Sequence, residues 1–401
     1  MAPDEFDLTT KAGVHQAMLQ LAAECTLDPL RFVQIAFPWG KGTLAGFNGP
    51  DKWQTERLVS LRDSLKSGAA WHEVIQQATA AGHGVGKALD VDLVVDTPDG
   101  PRRWGDLTVG DKLFGSDGRP TTIVAIPFRG IRPCYRVAFD DGSSTIASGE
   151  HLWTVKGRQH RRKGLDYETI TTNEILQRGV KRSNGSARAR QWEIPHHAAV
   201  CGVGVQASVN PYLIGLWLGN GDSHGRLSIN DREVVDRIRD ICGDEGFSVY
   251  EKKGTTCLAI CVYGLRVGLR NLGILEGGSA HKRFPAEARE YGADDRLELL
   301  RGLIDTDGEV NDHGTVIYST VSKQLADDVL WLVRSLGGKA RISAAVKLPF
   351  YRNTDGVKVL GKPCYRVTLT MPRGVSIAYV SRKQERVLDT IERRYLTRWI
   401  D

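Results

Sequence analysis

The feature that most constrains this chain of 401 residues is an internal duplication. The stretch "YLIGLWLGNGDSHGRLSIND" at 212–231 and the stretch "LLRGLIDTDGEVNDHGTVIYST" at 299–320 share one layout. Each opens as an apolar helix with Gly at the same register position, Gly215 or Gly302, and closes on Asn220-Gly221 or Asp307-Gly308. A polar stretch and a strand follow. The order then repeats as a helix ("REVVDRIRDICGDEGF" against "KQLADDVLWLVRSLGG"), a strand ("SVYEKKG" against "KARISAAV") and another strand ("CLAICVYG" against "CYRVTLTM"). Asn220 and Asp307 stand 87 residues apart. One apolar helix ending in Asp-Gly is commonplace. Two in the same register, each heading the same element order, define a two-copy architecture.

Side by side, the two helices bring their chemistry to one place. Gly215, Gly219 and Gly302 permit close backbone approach, and Asn220 and Asp307 then meet at the foot of the pair. Paired carboxylates at such a point bind a divalent metal, which can activate water against a phosphodiester. The strands of each half would form a saddle for duplex DNA, with Lys and Arg meeting phosphates.

These residues resemble the LAGLIDADG homing endonucleases, most closely in "LRGLIDTDG" at 300–308. The resemblance spans about 180 residues and implies a pseudo-twofold αββαββα domain over 207–385 that cuts double-stranded DNA with Mg²⁺ and one acid per motif. Asp307 is then one catalytic metal ligand and Asn220 occupies the position of the other, where an amide carries no charge. Asp222 is the nearby acid that could partly substitute. Lys253 and Lys339 are expected at equivalent places in the two halves, as phosphate contacts or as ordinary surface lysines.

Residues 88–206 change character to period-two strands punctuated by "DTPDG", "GSDGRP" and "FDDGSS", the pattern of an all-β domain. The pieces "ALDVDLVVDTPDG", "LTVGDKLFGSDGRPTTIVAI" and "YRVAFDDGSSTIASGEHLWTV" resemble the N-terminal part of an intein splicing domain of Hint-like fold. That resemblance makes "SGEH" the motif that polarises the upstream scissile peptide, with Ser148 in the Thr position and His151 as proton donor. Most inteins begin with a Cys or Ser nucleophile; this one begins with Ala88. A subclass, class 3, tolerates Ala there and carries Trp two residues after the His, as Trp153 does. The Cys such inteins need near their C-terminal end, and the closing His-Asn, are not found after Cys364, which the repeat assigns to an endonuclease strand. The last stretch, 386–401, reads as a return to the splicing domain, to be completed by a further intein and extein segment in cis or in trans.

Residues 1–87 read as helical and end in "AAGHGVGK", a phosphate-binding loop (Walker A) that stops before its Ser or Thr. With "FVQIAFPWGKGTL" and "GPDKWQTERL", this stretch resembles the start of a phage terminase large subunit, the ATPase that packages DNA. The resemblance implies nucleotide contacts from Gly82, Gly84, Gly86 and Lys87, with Gln54 reading adenine. Lys87 and Ala88 form the splice junction, so ATP and its Mg²⁺ bind only after splicing restores the loop.

As a whole, the sequence reads as a multidomain α+β chain. Three alternatives stay open: a splicing precursor fragment with an active endonuclease, a decayed DNA-binding relic, or one half of a split intein. No apolar run has membrane-spanning length and the N-terminus lacks the pattern of a signal peptide, which makes the cytoplasm of a phage-infected or prophage-bearing cell the expected place. Seven scattered cysteines, with Cys257 and Cys261 the one close pair, complete no zinc pattern. The net charge of +6 is uneven: Arg158 to Arg190 holds nine Lys/Arg against three Asp/Glu. There "RQHRRK", with Arg161 and Arg162, and "RGVKRSNGSARAR" are read as solvated loop or as contacts to nucleic-acid phosphate.

Overall fold

The computed structural model describes residues 10–41, 48–50, 52–66, 89–126, 130–181, 190–251, 257–312, 315–343, 350–352, 356–391, 396 and 398–401. They fall into two compact bodies, Met1–Ala81 with Val124–Pro127 and Gly82–Ile123 with Phe128–Asp401.

The first body holds α1 (Lys11–Cys25), α2 (Pro29–Ala36) and α3 (Lys52–Lys66). Local chemistry starts the first two. The Thr10 side chain accepts from Gly13 N, and Asp28 accepts from Arg31 N with Pro29 in the first turn.

In the second body the chain first runs through short antiparallel hairpins. They are β1 (Val94–Thr97) with β2 (Gly100–Arg103), and β3 (Lys112–Phe114) with β4 (Pro120–Thr122). Then come β5 (Cys134–Ala138) with β6 (Ser144–Ser148). The three turn clusters read from the sequence fall at these three reversals. Next is β7 (Leu152–Val155), then α4 (Arg158–Lys163), β8 (Glu168–Thr171) paired with β7, α5 (Thr172–Arg178) and β9 (Glu193–Ile194).

The segment is therefore not all-β, and both helices have local causes. "RQHRRK" is a helix between Gly157 and Gly164, whose φ of 65° provides the left-handed stop. α5 starts with a reciprocal capping box between Thr171 and Glu174. A small core of Val137, Ala147, Val155, Ile170, Ile175 and Trp192 is joined by Ile400 from the far end of the chain.

The duplicated part follows. Its first copy is α6 (Pro211–Asn220), β10 (Leu227–Ile229), α7 (Arg232–Cys242), β11 (Phe247–Glu251), β12 (Leu258–Val262) and α8 (Leu265–Asn271). The second is α9 (Ala293–Asp307), β13 (Gly308–Val310), β14 (Val316–Thr320), α10 (Lys323–Ser335), β15 (Lys339–Ile342), a hairpin of β16 (Phe350–Arg352) and β17 (Lys358–Leu360), β18 (Tyr365–Thr370) and α11 (Ser381–Ile391).

Sheet topology repeats with the sequence: the order β10-β12-β11 reappears as β14-β18-β15. The counterpart of β13 is reduced to one bridge, Gly221 to Leu227, where the second copy pairs Gly308 with Tyr318. Each copy thus has the αββαββα order, and the hairpin of β16 and β17 is an addition to the second.

The central helices form the core of this body. α6 is apolar around its whole circumference, and Pro211 through Leu218 are all buried. Asn210 starts it by accepting from Tyr212 N and Leu213 N, with Pro211 in its first turn.

After α11 the chain returns. β19 (Arg398–Trp399) pairs with β9, and Asp401 N donates to Ala138 O at 2.9 Å.

Candidate functional site

Glycine brings α6 and α9 together. A Cβ on Gly215 would stand 2.9 Å from Gly302 Cα and closer still to Leu299 O. One on Gly302 would collide with Tyr212 O and lie 2.8 Å from Leu216 N. Gly219 is packed against the Thr306 side chain. The two helices therefore run backbone against backbone, and their last residues are Asn220 and Asp307.

Two buried lysines close the ends of this pair. Lys282 Nζ donates to Trp217 O at 2.8 Å, Gly219 O at 3.1 Å and Gly221 O at 3.0 Å. Lys383 Nζ donates to Ile304 O at 2.7 Å, Asp305 O at 2.9 Å and Thr306 O at 3.4 Å. Carbonyls at a helix C-terminus lack intrahelical partners and carry the negative end of the dipole, so a cation suits them. Burial lowers the Lys282 ammonium to about 8, with Asp307 and Asp222 opposing the shift. Burial likewise lowers Lys383.

Between these cations lies Asp307. Burial raises its carboxyl, while Lys282 and Lys383 pull it back down. Among the described residues neither Asp307 nor Asn220 has a side-chain hydrogen bond to protein, which leaves both for a ligand.

The neighbouring acids are committed elsewhere. Asp305 is buried and accepts from Tyr212 Oη at 2.9 Å and from Tyr379 N and Val380 N, so it joins α9 to the start of α11. Asp222 accepts from His224 N, Arg226 N and Arg226 Nε. Its burial would raise the carboxyl, yet these hydrogen bonds hold it below the ordinary range. Asp222 is thus tied into its own loop, with its side chain partly exposed.

Among the described residues no cluster of three or more His, Cys, Asp or Glu could hold a metal. The donor set offered at the helix ends is one carboxylate and one amide. A Mg²⁺ ion keeps several waters and is bound through one or two carboxylates, so Asp307 fits as the protein ligand of one cation. Asn220 supplies no charge for a second.

Strand register equates Lys339 with Gly246 of the first copy. Lys253 lies outside the described residues. Lys339 Nζ donates to Asp140 Oδ2 at 2.6 Å, in the turn between β5 and β6. Beside it, Asp141 takes Arg334 Nη2 at 3.1 Å and Arg398 Nε at 3.2 Å. This acidic turn walls an open groove of about 520 Å³ whose floor is Arg341, Thr368 and Thr370 of the second sheet.

Ser148, His151 and Trp153 do come together. Ser148 is the buried end of β6, and His151 N donates to Ser148 O at 3.0 Å. The His151 ring lies 4.7 Å from the Trp153 ring in an edge arrangement. Thr172 ties both down: its Oγ1 accepts from Trp153 Nε1 at 2.9 Å, and its N donates to His151 O at 2.9 Å.

Arg161 is tied into its own domain. Its Nη1 donates to Lys156 O at 2.6 Å, it pairs with Glu193, and its guanidinium lies 4.5 Å from the Trp399 ring. Arg162, on the same helix, is exposed. Gly82, Gly84, Gly86, Lys87 and Ala88 lie outside the described residues; Gln54 falls within α3, its side chain undescribed. Sequence reasoning missed Lys282, Lys383 and Thr172.

Comparison with known proteins adds three findings. Residues 294–366 match the family described as LAGLIDADG-like domain. The chain is similar to a replicative DNA helicase DnaB of Mycobacterium intracellulare, 33% identical over 297 residues, covering 68% of this chain and 46% of that protein. It is also similar to a replicative DNA helicase DnaB of Mycobacterium leprae (strain TN), 40% identical over 92 residues, 22% of this chain and 15% of that one. The chain thus spans less than half the length of these relatives. Both bear the name of a helicase; neither is a terminase, the host expected from residues 1–87.

Among solved structures, the Msm DnaB1 intein splicing domain bound with zinc is 43% identical, covering 17% of this chain and 55% of its own at a TM-score of 0.17. The homing endonuclease I-DmoI in complex with DNA and Mn is 14% identical, covering 47% of this chain and 97% of its own at a TM-score of 0.26. Among the described residues no helix is long and apolar enough to cross a membrane.

Proposed function

We propose that residues 207–385 form a site-specific endonuclease of the homing type, carried within an intein. The observation that carries this reading is the duplicated αββαββα unit whose two glycine-packed helices end at Asn220 and Asp307 under buried lysines. The family match over 294–366 supports it for the second copy. The double-stranded DNA substrate would lie on the solvent faces of the two sheets, where Arg341, Thr368 and Thr370 stand in the second half. When bound, Mg²⁺ would supply an activated water and offset charge on the leaving oxygen, with Asp307 as its protein ligand.

Residues 88–206 and the chain beyond α11 belong in this reading to the splicing domain, a boundary later than the expected 386 because α11 closes the second copy. The cluster of Ser148, His151 and Trp153 supports that assignment, as does the pairing of β19 with β9. Thr172 fixes the main chain at His151 and the Trp153 indole, and in this reading the imidazole is the proton donor at the upstream junction. Completion requires a C-terminal intein and extein segment, in cis or in trans.

Residues 1–87 would be the first part of the interrupted ATPase, in which Gly82, Gly84, Gly86, Lys87 and Gln54 bind ATP after splicing. The motifs of that stretch favour a terminase as host; the curated relatives put a helicase beside it as the second reading. Such a protein works in the cytoplasm of its host cell.

The test begins without cleavage. Binding sites are selected from random duplex DNA with the full chain in Ca²⁺, then placed in a plasmid and treated with the chain in Mg²⁺. Enrichment of one sequence and its metal-dependent cutting support the endonuclease. Enrichment without any cutting supports the relic. Failure to enrich any sequence refutes the DNA-directed reading. Ligation after mixing with a synthetic C-terminal intein segment tests the split form.

A further inference from the structure

We infer that the active groove serves one DNA strand, so that this chain nicks its site instead of cutting both strands. The inference rests on the endonuclease reading above and on a comparison that the molecule makes with itself. Gly215 and Gly302 occupy the same register position, 87 residues apart. Lys282 holds Trp217 O and Gly219 O, while Lys383 holds Ile304 O and Thr306 O, again 87 residues apart. Gly221 pairs with Leu227 as Gly308 pairs with Tyr318. The scaffold therefore presents two scissile phosphates with matched surroundings. Of the two residues that end these helices, one carries a charge and the other does not.

At that position Asp307 can hold a cation against one phosphate, and the Asn220 amide cannot do so for the other. No neighbour repairs the deficit. Asp222 is fixed by Arg226 and His224, and Asp305 is buried on Tyr212, Tyr379 and Val380. On the strand facing Asp307, a water oxygen forms a new bond to phosphorus and one ester P–O bond breaks. The departing oxygen gains a proton and the water yields one to solvent. The strand facing Asn220 stays intact.

The experiment uses the selected duplex in a supercoiled plasmid, with the full chain. In Mg²⁺ the expected product is open circle, with second-strand cutting at least about 100-fold slower; end-labelled duplex shows cuts on one strand. Asn220→Asp converts open circle to linear. Asp307→Asn stops cutting while gel-shift affinity in EDTA is retained. Independently of activity, calorimetric titration of Ca²⁺ into the chain–DNA complex gives one strong site, two for Asn220→Asp and none for Asp307→Asn. Linear product from the unaltered chain, two strong sites before substitution, or cutting by Asp307→Asn each overturns the proposal. Failure to enrich any duplex removes the endonuclease reading itself, and this inference with it.

Discussion

Lys282 and Lys383 perform the same task from unrelated chain positions: each drives a buried ammonium group into the carbonyls that end α6 or α9, at residues 87 apart. They reach it differently. Lys282 follows a short 3₁₀ turn, Ser279–His281, whereas Lys383 lies in the first turn of α11. The twofold symmetry is thus one of place and charge, and only partly one of sequence.

The first prediction concerns these groups. Lys282→Met and Lys383→Met keep most of the side-chain volume but leave carbonyls at a buried helix end without their donor. Each substitution relieves the cost of burying a cation, so the net loss is modest, about 1–3 kcal/mol. Urea denaturation of each variant should show the loss, and because both ammonium groups act on Asp307 the double variant should depart from the sum. A variant as stable as the parent would mean that water satisfies those carbonyls.

The second concerns helix approach. Gly302→Ala places a methyl group against Tyr212 O and Leu216 N, both backbone atoms that no rotamer change can move. The helices must separate, at a cost of about 3 kcal/mol. Gly292, whose added Cβ would meet nothing within 4 Å, is the control: Gly292→Ala should be close to neutral. Thermal melts of the two variants decide it.

Much of this arrangement is legible in the amino-acid order alone. The repeat spacing locates α6 and α9 and the equivalence of Asn220 with Asp307, because apolar periodicity and helix-ending glycines are local signals. The turn clusters locate the first hairpins for the same reason. Lys282 and Lys383 are not legible, since their spacing of 101 residues breaks the 87-residue register and nothing local marks a lysine that folds inward. The register of Lys339 is not legible by counting, because strands that lie outside the repeat's firm register do not reveal their pairing that way. The helix α5 does carry its signal, the Thr171 to Glu174 capping box, but hides it within a strand-rich stretch.

The third prediction follows from the acidic turn. Asp141, 4% exposed, accepts from Ser143 and pairs with both Arg334 and Arg398. Burial opposes its ionisation, yet Ser143 and the two guanidiniums hold its carboxyl below the ordinary value. Asp141→Asn keeps the shape and deletes the charge that both arginines face. The arginines are about one-third exposed, which limits the cost to about 2 kcal/mol. A double-mutant cycle with Arg334→Met should return a coupling of about 1 kcal/mol or more; a coupling near zero would assign the loss to Ser143 and Arg398.

The last prediction is a pH dependence with a defined sign. His196 stands where the acidic turn, β15 and the returning C-terminal strand meet, and its Nε2 is buried with no partner among the described residues. Burial lowers its pKa to about 4; Arg398, Lys339 and His197 push the same way, and Asp140 opposes them. The unfolded chain takes up this proton near pH 6.5, whereas the folded chain resists it until about pH 4. Stability owed to neutral His196 is therefore complete above about pH 6.5 and falls away as pH drops towards 4, by up to about 3 kcal/mol. Asp141 loses its own contribution in a different window, below the unfolded carboxylate value of 3.8. Urea midpoints measured from pH 7.5 to 4.5 should fall in the parent chain and flatten in His196→Phe. Parallel curves for the two proteins would place the titrating group elsewhere.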